Sequence, residues 1–447
     1  MVNTDGDAQN EHFSDGLTDE LIGALSQVAE LSVSGRTSVF ALKGKGLHVR
    51  DIAALLHVDH VLEGSVRRAG DRLKVRVQLV DTSGSVLWSD AYNRTMTDVF
   101  AVQEVIAQAV VQALEVRLSI ARGPLVRPAT SDLKAYDFYL RGRGVRRRLD
   151  TEGLTRAIGY FEQAVRQDPK YARAYAALAD AHIMHAVFSD IPPLEVLPVA
   201  RMHAAKSLEL DPELADAHWA VAHVSFALDL DFVTASREFQ RALALDPGLV
   251  DARHMHAISL LDARRFAESE IELNRALAAD PLDAAARMTL GRLYVHTGQP
   301  DRAIPVLLES LELSPGFTYV REGLVQAYLE LGRHDEAMAE AERAAASGGA
   351  RDRATLAFAC VVTGQRTRGE SILRQLIEGG GRFAPPTHIA MVYAALDDQN
   401  AMYEWLDRAC REHDPHVMGI DILNPFARFR NDERSVAIAR RVGLRSE

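Results

Sequence analysis

Cysteine is nearly absent: Cys360 and Cys410 are the two in 447 residues, and both stand in apolar helical surroundings. A disulfide framework and the usual zinc-ligand spacing are therefore excluded, and buried thiols are expected. No run approaches the roughly 18 consecutive apolar residues of a spanning helix, and the opening MVNTDGDAQNEHFSDG lacks the positive-then-apolar order of a secretory signal. A cytoplasmic location is expected for the chain as written, and a periplasmic one for a membrane-anchored parent chain. A basic excess is missing too. Lys and Arg number 51 against 62 Asp and Glu, a net charge of −11, so no general nucleic-acid binding is expected. Aromatics make up only 6%, while 47% hydrophobic and 25% charged residues place the chain among soluble globular proteins.

Catalytic signatures are also missing. Lys43-Gly44-Lys45-Gly46 has neither the spacing nor the hydroxyl of a phosphate-binding loop and reads as an ordinary cationic turn. No kinase catalytic-loop triplet, nucleophile elbow or zincin motif occurs, so neither an enzyme nor a cofactor is expected. His182 and His185, His254 and His256, and His413 and His416 are close in sequence, but none has a third ligand at a familiar spacing. Exposed or satisfied imidazoles are the simpler reading, and no metal is expected.

Residues 1–121 have the pattern of an α/β domain. Leu17, Leu21, Leu25 and Val28 form a helical stripe that Ser14 or Asp15 could cap, and Leu31–Ser38 is expected to be a short strand. A second helix carries Val49, Ile52, Ala53 and Leu56. The period then drops to two: Val61–Arg68 meets the turn Ala69-Gly70-Asp71, after which Leu73, Val75, Val77 and Leu79 alternate with Arg72, Lys74, Arg76 and Gln78. A hairpin with one wet face follows from that alternation. Val86–Asn93 supplies a third strand, and a long helix from Val99 to Leu114 closes the unit. Gly123, Pro124 and Pro128 mark a linker over residues 122–132.

Beyond it, an Asp-Pro or Ser-Pro step recurs at Pro169, Pro212, Pro247, Pro281 and Pro315, each after a related run such as ALALDP or SLELSP. The period is 34 residues for most units, and such a period means paired helices. Small residues, Ala179, Ala257 and Gly291 in first helices and Ala157, Ala235, Ala303 and Ala337 in second ones, stand where helices must approach closely. This pattern resembles the tetratricopeptide repeat, and about eight helix pairs are expected over residues 133–416, with a C-terminal capping segment over 417–447. The fold class expected is thus an α/β front domain with a small mixed sheet, followed by an all-α solenoid.

The segments DGLTDELIGALSQ, SGRTSVFALKGK, DIAALLHVDHVLEGSVRRAGDRLKVRVQLVD and VLWSDAYNRTMTDVFAVQEVIAQAV resemble the TolB amino-terminal-like domain found before such repeats in bacteria. That resemblance implies a regulatory setting, in which the two modules follow an adenylate cyclase, a winged-helix regulator or a serine/threonine kinase. The family's unit opens with a short apolar strand ending in Pro-Phe, and this sequence begins at Val2-Asn3, where that strand would be finishing. An open sheet edge, homo-association through it, and a chain that is a fragment or a late start of a longer protein are the matching expectations.

A first-helix groove is where repeats of this kind receive an extended or helical segment of a protein partner. Asp251, His254, Met288, Arg292, Tyr319, Glu322 and Gln326 are the candidate lining residues, against the plainer reading that they only solvate the groove. The places at which a carboxylate clamp would need Lys and Asn hold Val224, Ile258 and Gln326, so a chaperone-tail clamp is not expected. Arg141, Arg143, Arg146, Arg147 and Arg148 crowd the first repeat helix and read as a solvated face, as do the cations between Arg36 and Arg76. Protein–protein interaction by a scaffold or adaptor is the expected function, with the regulatory half of a larger signalling protein as the alternative.

Overall fold

The computed structural model describes residues 1–4, 10–28, 30–114, 129–146, 151–188, 191–346, 349–378 and 384–445. Most of the expected linker, with Gly123, Pro124 and Pro128, lies outside them, as do Arg147 and Arg148.

The front unit runs β1 Val2–Asn3, α1 Glu11–Ser26, α2 Arg36–Ala41, α3 Val49–Leu56, β2 His60–Ala69, β3 Arg72–Asp81, β4 Val86–Thr95 and α4 Val99–Ala113. Its sheet has the order β1-β2-β3-β4, with β1 parallel to β2 and the rest antiparallel. The β2–β3 hairpin turns at Gly70, whose φ of 63° suits a residue without Cβ. Leu73, Val75, Val77 and Leu79 point to one face and are buried against α1 and α4 through Phe13, Leu17, Val102 and Ile106. The alternating partners Arg72, Lys74 and Arg76 are exposed, as period-two patterning requires.

Two local readings need correction. Leu31–Ser38 is not a strand: residues 31–35 have no regular secondary structure and join no sheet, and Arg36–Ala41 is helical. This stretch reaches across to the repeats instead, where the Gly35 N–H donates to the Ala279 carbonyl. Ser14 does not cap α1, which starts at Glu11; its hydroxyl donates to the Glu11 carbonyl.

The rest is a series of helix pairs. Those pairs are α5 Leu133–Arg146 with α6 Thr151–Gln167, α7 Ala172–Phe188 with α8 Pro193–Leu210, and α9 Ala215–Ala227 with α10 Phe232–Leu245. Then come α11 Val250–Asp262 with α12 Phe266–Ala279, α13 Ala284–His296 with α14 Pro300–Leu313, and α15 Tyr319–Glu330 with α16 His334–Ala345. Last are α17 Ala350–Val362 with α18 Arg366–Glu378, and α19 Pro386–Leu396 with α20 Gln399–Arg411.

Each of the helices α6, α8, α10, α12 and α14 stops two residues before its recurring proline. The residue before proline is pushed out of the helical region by the ring's Cδ, and Asp211, Asp246, Asp280 and Ser314 accordingly have ψ between 78° and 94°. Between paired helices, Phe161, Phe239 and Leu307 are wholly buried. An ideal Cβ on Gly291 would stand 2.5 Å from Leu307 Cγ, so only glycine lets α13 and α14 approach this closely.

The two parts are docked. Arg173 of α7 meets Glu20 of α1 at 3.2 Å, and Arg143 meets Asp19 at 2.8 Å. The Asp280 carboxylate, in the Asp-Pro step after α12, accepts from the N–H groups of Thr37 and Ser38 and from the Ser38 hydroxyl, which in turn accepts from the Leu282 N–H. The front unit therefore spans from the first repeat to the junction of the fourth and fifth. Among the described residues no helix is long and apolar enough to cross a membrane.

Candidate functional site

The inner strip is built by the first helices of successive pairs, because a repeat of 34 residues returns equivalent side chains to equivalent places. On α11, Asp251 is exposed, whereas His254 is half-buried and its Nε2 lies 2.9 Å from the Thr289 hydroxyl on α13. Burial pushes the His254 imidazole down to about 4, so it is neutral at ordinary pH. Met288 on α13 is buried and Arg292, one turn on, is half-buried. The Arg292 charge opposes the burial that lifts Asp262 to about 7 and reinforces the burial that drops His296 to about 3.

On α15, Gln326 is buried, and Tyr319 and Glu322 enter a cluster that sequence reasoning had not assembled. Its other members come from α17, α19 and the C-terminal segment. Asp414 is wholly buried; its carboxylate accepts from the Thr387 N–H at 2.8 Å and from His416 Nδ1 at 2.8 Å. A carboxylate can only accept, so Nδ1 carries the proton and Nε2 accepts from the Tyr319 hydroxyl at 3.1 Å. Burial would raise Asp414, but the His416 imidazole and the Thr387 N–H outweigh it and hold the carboxyl at about 2.

His388 Nε2 stands 3.5 Å from Glu322, and its ring meets that of His416 edge-on at 4.6 Å. Glu322 is held well below the carboxylate range: burial works against ionisation, and His388, Arg351 and Arg292 overcome it. The Arg351 guanidinium lies 3.1 Å from the centre of the Tyr319 ring and donates to Asp352 and the Thr318 hydroxyl. Phe188 of α7 packs on both Phe317 and Tyr319, so the second pair touches the sixth across the inside of the array.

What covers this end of the strip is the chain itself. After α20 come single 3-10 turns at Pro415–Gly419 and Asn424–Phe429, then α21 Glu433–Arg441. Val417, Met418, Ile420, Ile422 and Phe426 are buried at 2% exposure or less. Ile422 joins the core of Leu293, Leu324 and Tyr294, His413 Nδ1 bonds the carbonyl of Leu228, which caps the end of α9, and Asn424 donates to Glu330 of α15. The segment thus lies over first-helix residues of the third and sixth pairs besides ending the array. The expected strip runs from an exposed end at Asp251 to a covered end at Tyr319, Glu322 and Gln326.

The remaining sequence candidates are structural in their contacts. Arg146 pairs with buried Asp180, Arg141 with Asp137, and Arg143 with Asp19. Cys360 and Cys410 are buried free thiols, with burial pushing Cys410 up to about 11. Among the described residues, no group of three His, Cys, Asp or Glu is placed to hold a metal ion.

Models of the tetratricopeptide repeat match residues 144–185 and 254–317, and a second such model matches 294–355. The chain carries tetratricopeptide repeats behind a small four-stranded mixed sheet, and those repeats imply protein–protein interaction. Among curated proteins it is similar to putative adenylate cyclase 3 of Rhizobium meliloti, 36% identical over 185 residues, covering 40% of this chain and 30% of that one. It is also similar to the transcriptional regulator HilA of Salmonella typhimurium, 24% identical over 303 residues, covering 66% and 53%. The chain therefore spans about a third to a half of the length of these relatives. Among solved structures it is similar to PilF of Pseudomonas aeruginosa, with a TM-score of 0.36, 24% identity, and coverage of 47% of this chain and 93% of that one.

Proposed function

We propose that the chain is a non-catalytic interaction adaptor in bacterial signalling or envelope-associated regulation. A partner segment docks on the open part of the first-helix strip, at Asp251, His254, Met288 and Arg292, because Tyr319, Glu322 and Gln326 are covered by the chain's own C-terminal segment. The single observation that carries the reading is the gradient along this strip, open and polar at Asp251 and packed at Tyr319. A partner entering at the open end meets an acid, a neutral imidazole and a guanidinium in turn. The front unit, read as a TolB amino-terminal-like domain, is bonded to both ends of the first four pairs and passes the strain of docking from the repeats to whatever it holds. Photo-cross-linking from position 251 and from position 326 in living cells tests this. Partner adducts from 251 that fall at least about tenfold in the Arg292→Glu variant support it; adducts that ignore Arg292 sink it.

A second reading has its own support. The 36% match to a putative adenylate cyclase favours the regulatory C-terminal half of a larger signalling protein such as an adenylate cyclase or a winged-helix transcription regulator. An immunoblot of native cells with an antibody to the repeats decides: a band of the encoded size favours the adaptor, and a larger one the regulatory half.

A further inference from the structure

The outer face of the front sheet carries charge that nothing among the described residues answers. Cross-strand register places Arg67 directly opposite Lys74 and Ser65 opposite Arg76, with Arg72 at the end of the same row. All four cations are exposed, and among the described residues none has a carboxylate within ion-pair distance. Like charges directly opposed on a sheet destabilise it. The one carboxylate in this row, Glu63, is taken by the Gln78 amide.

The next strand outward makes room rather than filling it. Facing Arg72, Lys74, Arg76 and Gln78 across the ladder are Thr95, Asn93, Ala91 and Ser89, all short, uncharged and exposed. Strand β4 is the sheet's edge, and alternate residues of such a strand turn their N–H and C=O groups away from β3; here the Ala91 and Thr95 N–H groups donate to the Asp90 and Asp98 carboxylates and the Asn93 carbonyl accepts from Arg94, exposed local bonds that an added strand would replace. Register slips by one at Leu87, so the regular edge is Trp88–Thr95.

We propose that this edge and face are a docking site for an extended acidic segment of a protein partner, which adds to β4 as a fifth strand. Its backbone pairs with the open edge, and its Asp or Glu residues, at every second position, reach over Ala91 and Asn93 to Arg76 and Lys74. Neighbouring strands are about 4.8 Å apart, so a carboxylate two strands out and an arginine of β3 bridge about 10 Å between backbones with their combined lengths. The geometry suits a polypeptide better than a nucleic acid. Among the described strand residues no aromatic side chain alternates onto this face to stack a base.

The test uses the full chain and a fluorescein-labelled decapeptide alternating Glu with Thr, followed by fluorescence anisotropy. Saturable binding that disappears on raising salt is expected, weakened about tenfold or more in the double variant Lys74→Glu, Arg76→Glu. Both sites are exposed, and an unchanged circular dichroism spectrum shows that the variant is folded. Backbone pairing is read separately with peptides N-methylated at odd or at even residues: one parity should abolish binding and the other leave it. Equal binding by both N-methylated peptides, or by the double variant, overturns the proposal. So does a short DNA duplex that displaces the peptide at lower concentration, which assigns the face to nucleic acid. Sedimentation of the chain alone as a dimer that Ala91→Arg dissociates would assign the edge to a second copy and equally overturn it.

Discussion

The two halves of the molecule dispose of their surfaces in opposite ways. The inner face of the repeats, the surface such arrays leave for partners, is filled at one end by the chain's own residues 413–445, which bring His413 onto Leu228 at the end of α9 and Asp414, His416, Ile422 and Asn424 onto α19, α15, α13 and α15. The front sheet, small enough to need every contact, leaves four cations and the outer face of its edge strand, Ser89, Ala91, Asn93 and Thr95, exposed. Unsatisfied groups are costly only when buried, so the covered end of the array ties Asp414, His416 and Tyr319 into bonded pairs, although Trp219 Nε1 and both His256 nitrogens stay buried without a partner among the described residues, while the sheet keeps an unanswered row in water. The difference suggests where specificity is built in and where it is kept for a partner.

The strongest way to break this comparison is to remove the anchor of the filled end. Asp414→Ala leaves the Thr387 N–H and His416 Nδ1 buried without an acceptor, and a loss of about 3–5 kcal/mol in chemical denaturation is expected. The pH dependence has a definite sign. The folded carboxyl titrates at about 2 and the unfolded one near 3.8, so its contribution is complete above about 4 and fades as pH falls through 2. A variant as stable as the parent near neutral pH would mean that the segment is a loose cover and not part of the core. Next in size is Gly291→Trp. A Cβ there already meets Leu307 at 2.5 Å, so unseating of the fifth pair at about 3 kcal/mol is expected, and unchanged melting with unchanged proteolysis would count against the repeat register.

How far these features could be read from sequence depends on whether they are local. The prolines, the period of 34 and the alternation in Arg72–Gln78 act within a few residues, and so they specified helix ends, pair spacing and the two faces of β3. Leu31–Ser38 misled because its apolar residues look like a strand, yet its backbone partner Ala279 lies in a distant repeat. The coverage of Tyr319 and Glu322 was illegible for the same reason. Whether a tail merely ends an array or runs along its inside depends on the curvature accumulated over eight pairs, and no window of sequence encodes that. The docking of Asp280 on Ser38 had one faint signal, an Asp-Pro step like its neighbours, and nothing in the spacing distinguished it.

A subtler difference between the halves is charge kept inside. Asp262 is buried on α11 with only the Arg292 charge opposing the burial that raises it to about 7. Its folded pKa lies above the unfolded one, so the stabilising contribution is complete below about 3.8 and is lost as pH rises through 7. Asp262→Asn should therefore gain about 2 kcal/mol over the parent at about pH 8 and far less at about pH 5, a contrast that thermal melts at the two pH values would show. Equal melting shifts at both would mean that water reaches the carboxylate.

The smallest expected effect bears most directly on the bare face. Lys74 sits opposite Arg67 on one side and Asn93 on the other, so it gains nothing from its neighbours and is repelled by one of them. Lys74→Glu turns that repulsion into an attractive cross-strand pair, and the fold should become more stable by about 0.2–1 kcal/mol. A residue that costs stability where it stands is retained for some other use, and the same substitution should weaken capture of the acidic decapeptide. Urea denaturation of the parent and variant, run beside the anisotropy titration, measures both quantities on one sample. A variant that is less stable would show that Lys74 has a structural partner and would remove the reason for regarding the row as held open for binding. A variant that is more stable and binds the peptide no worse would show that the four cations only keep the face in water, as the plainest reading of a charged sheet surface supposes.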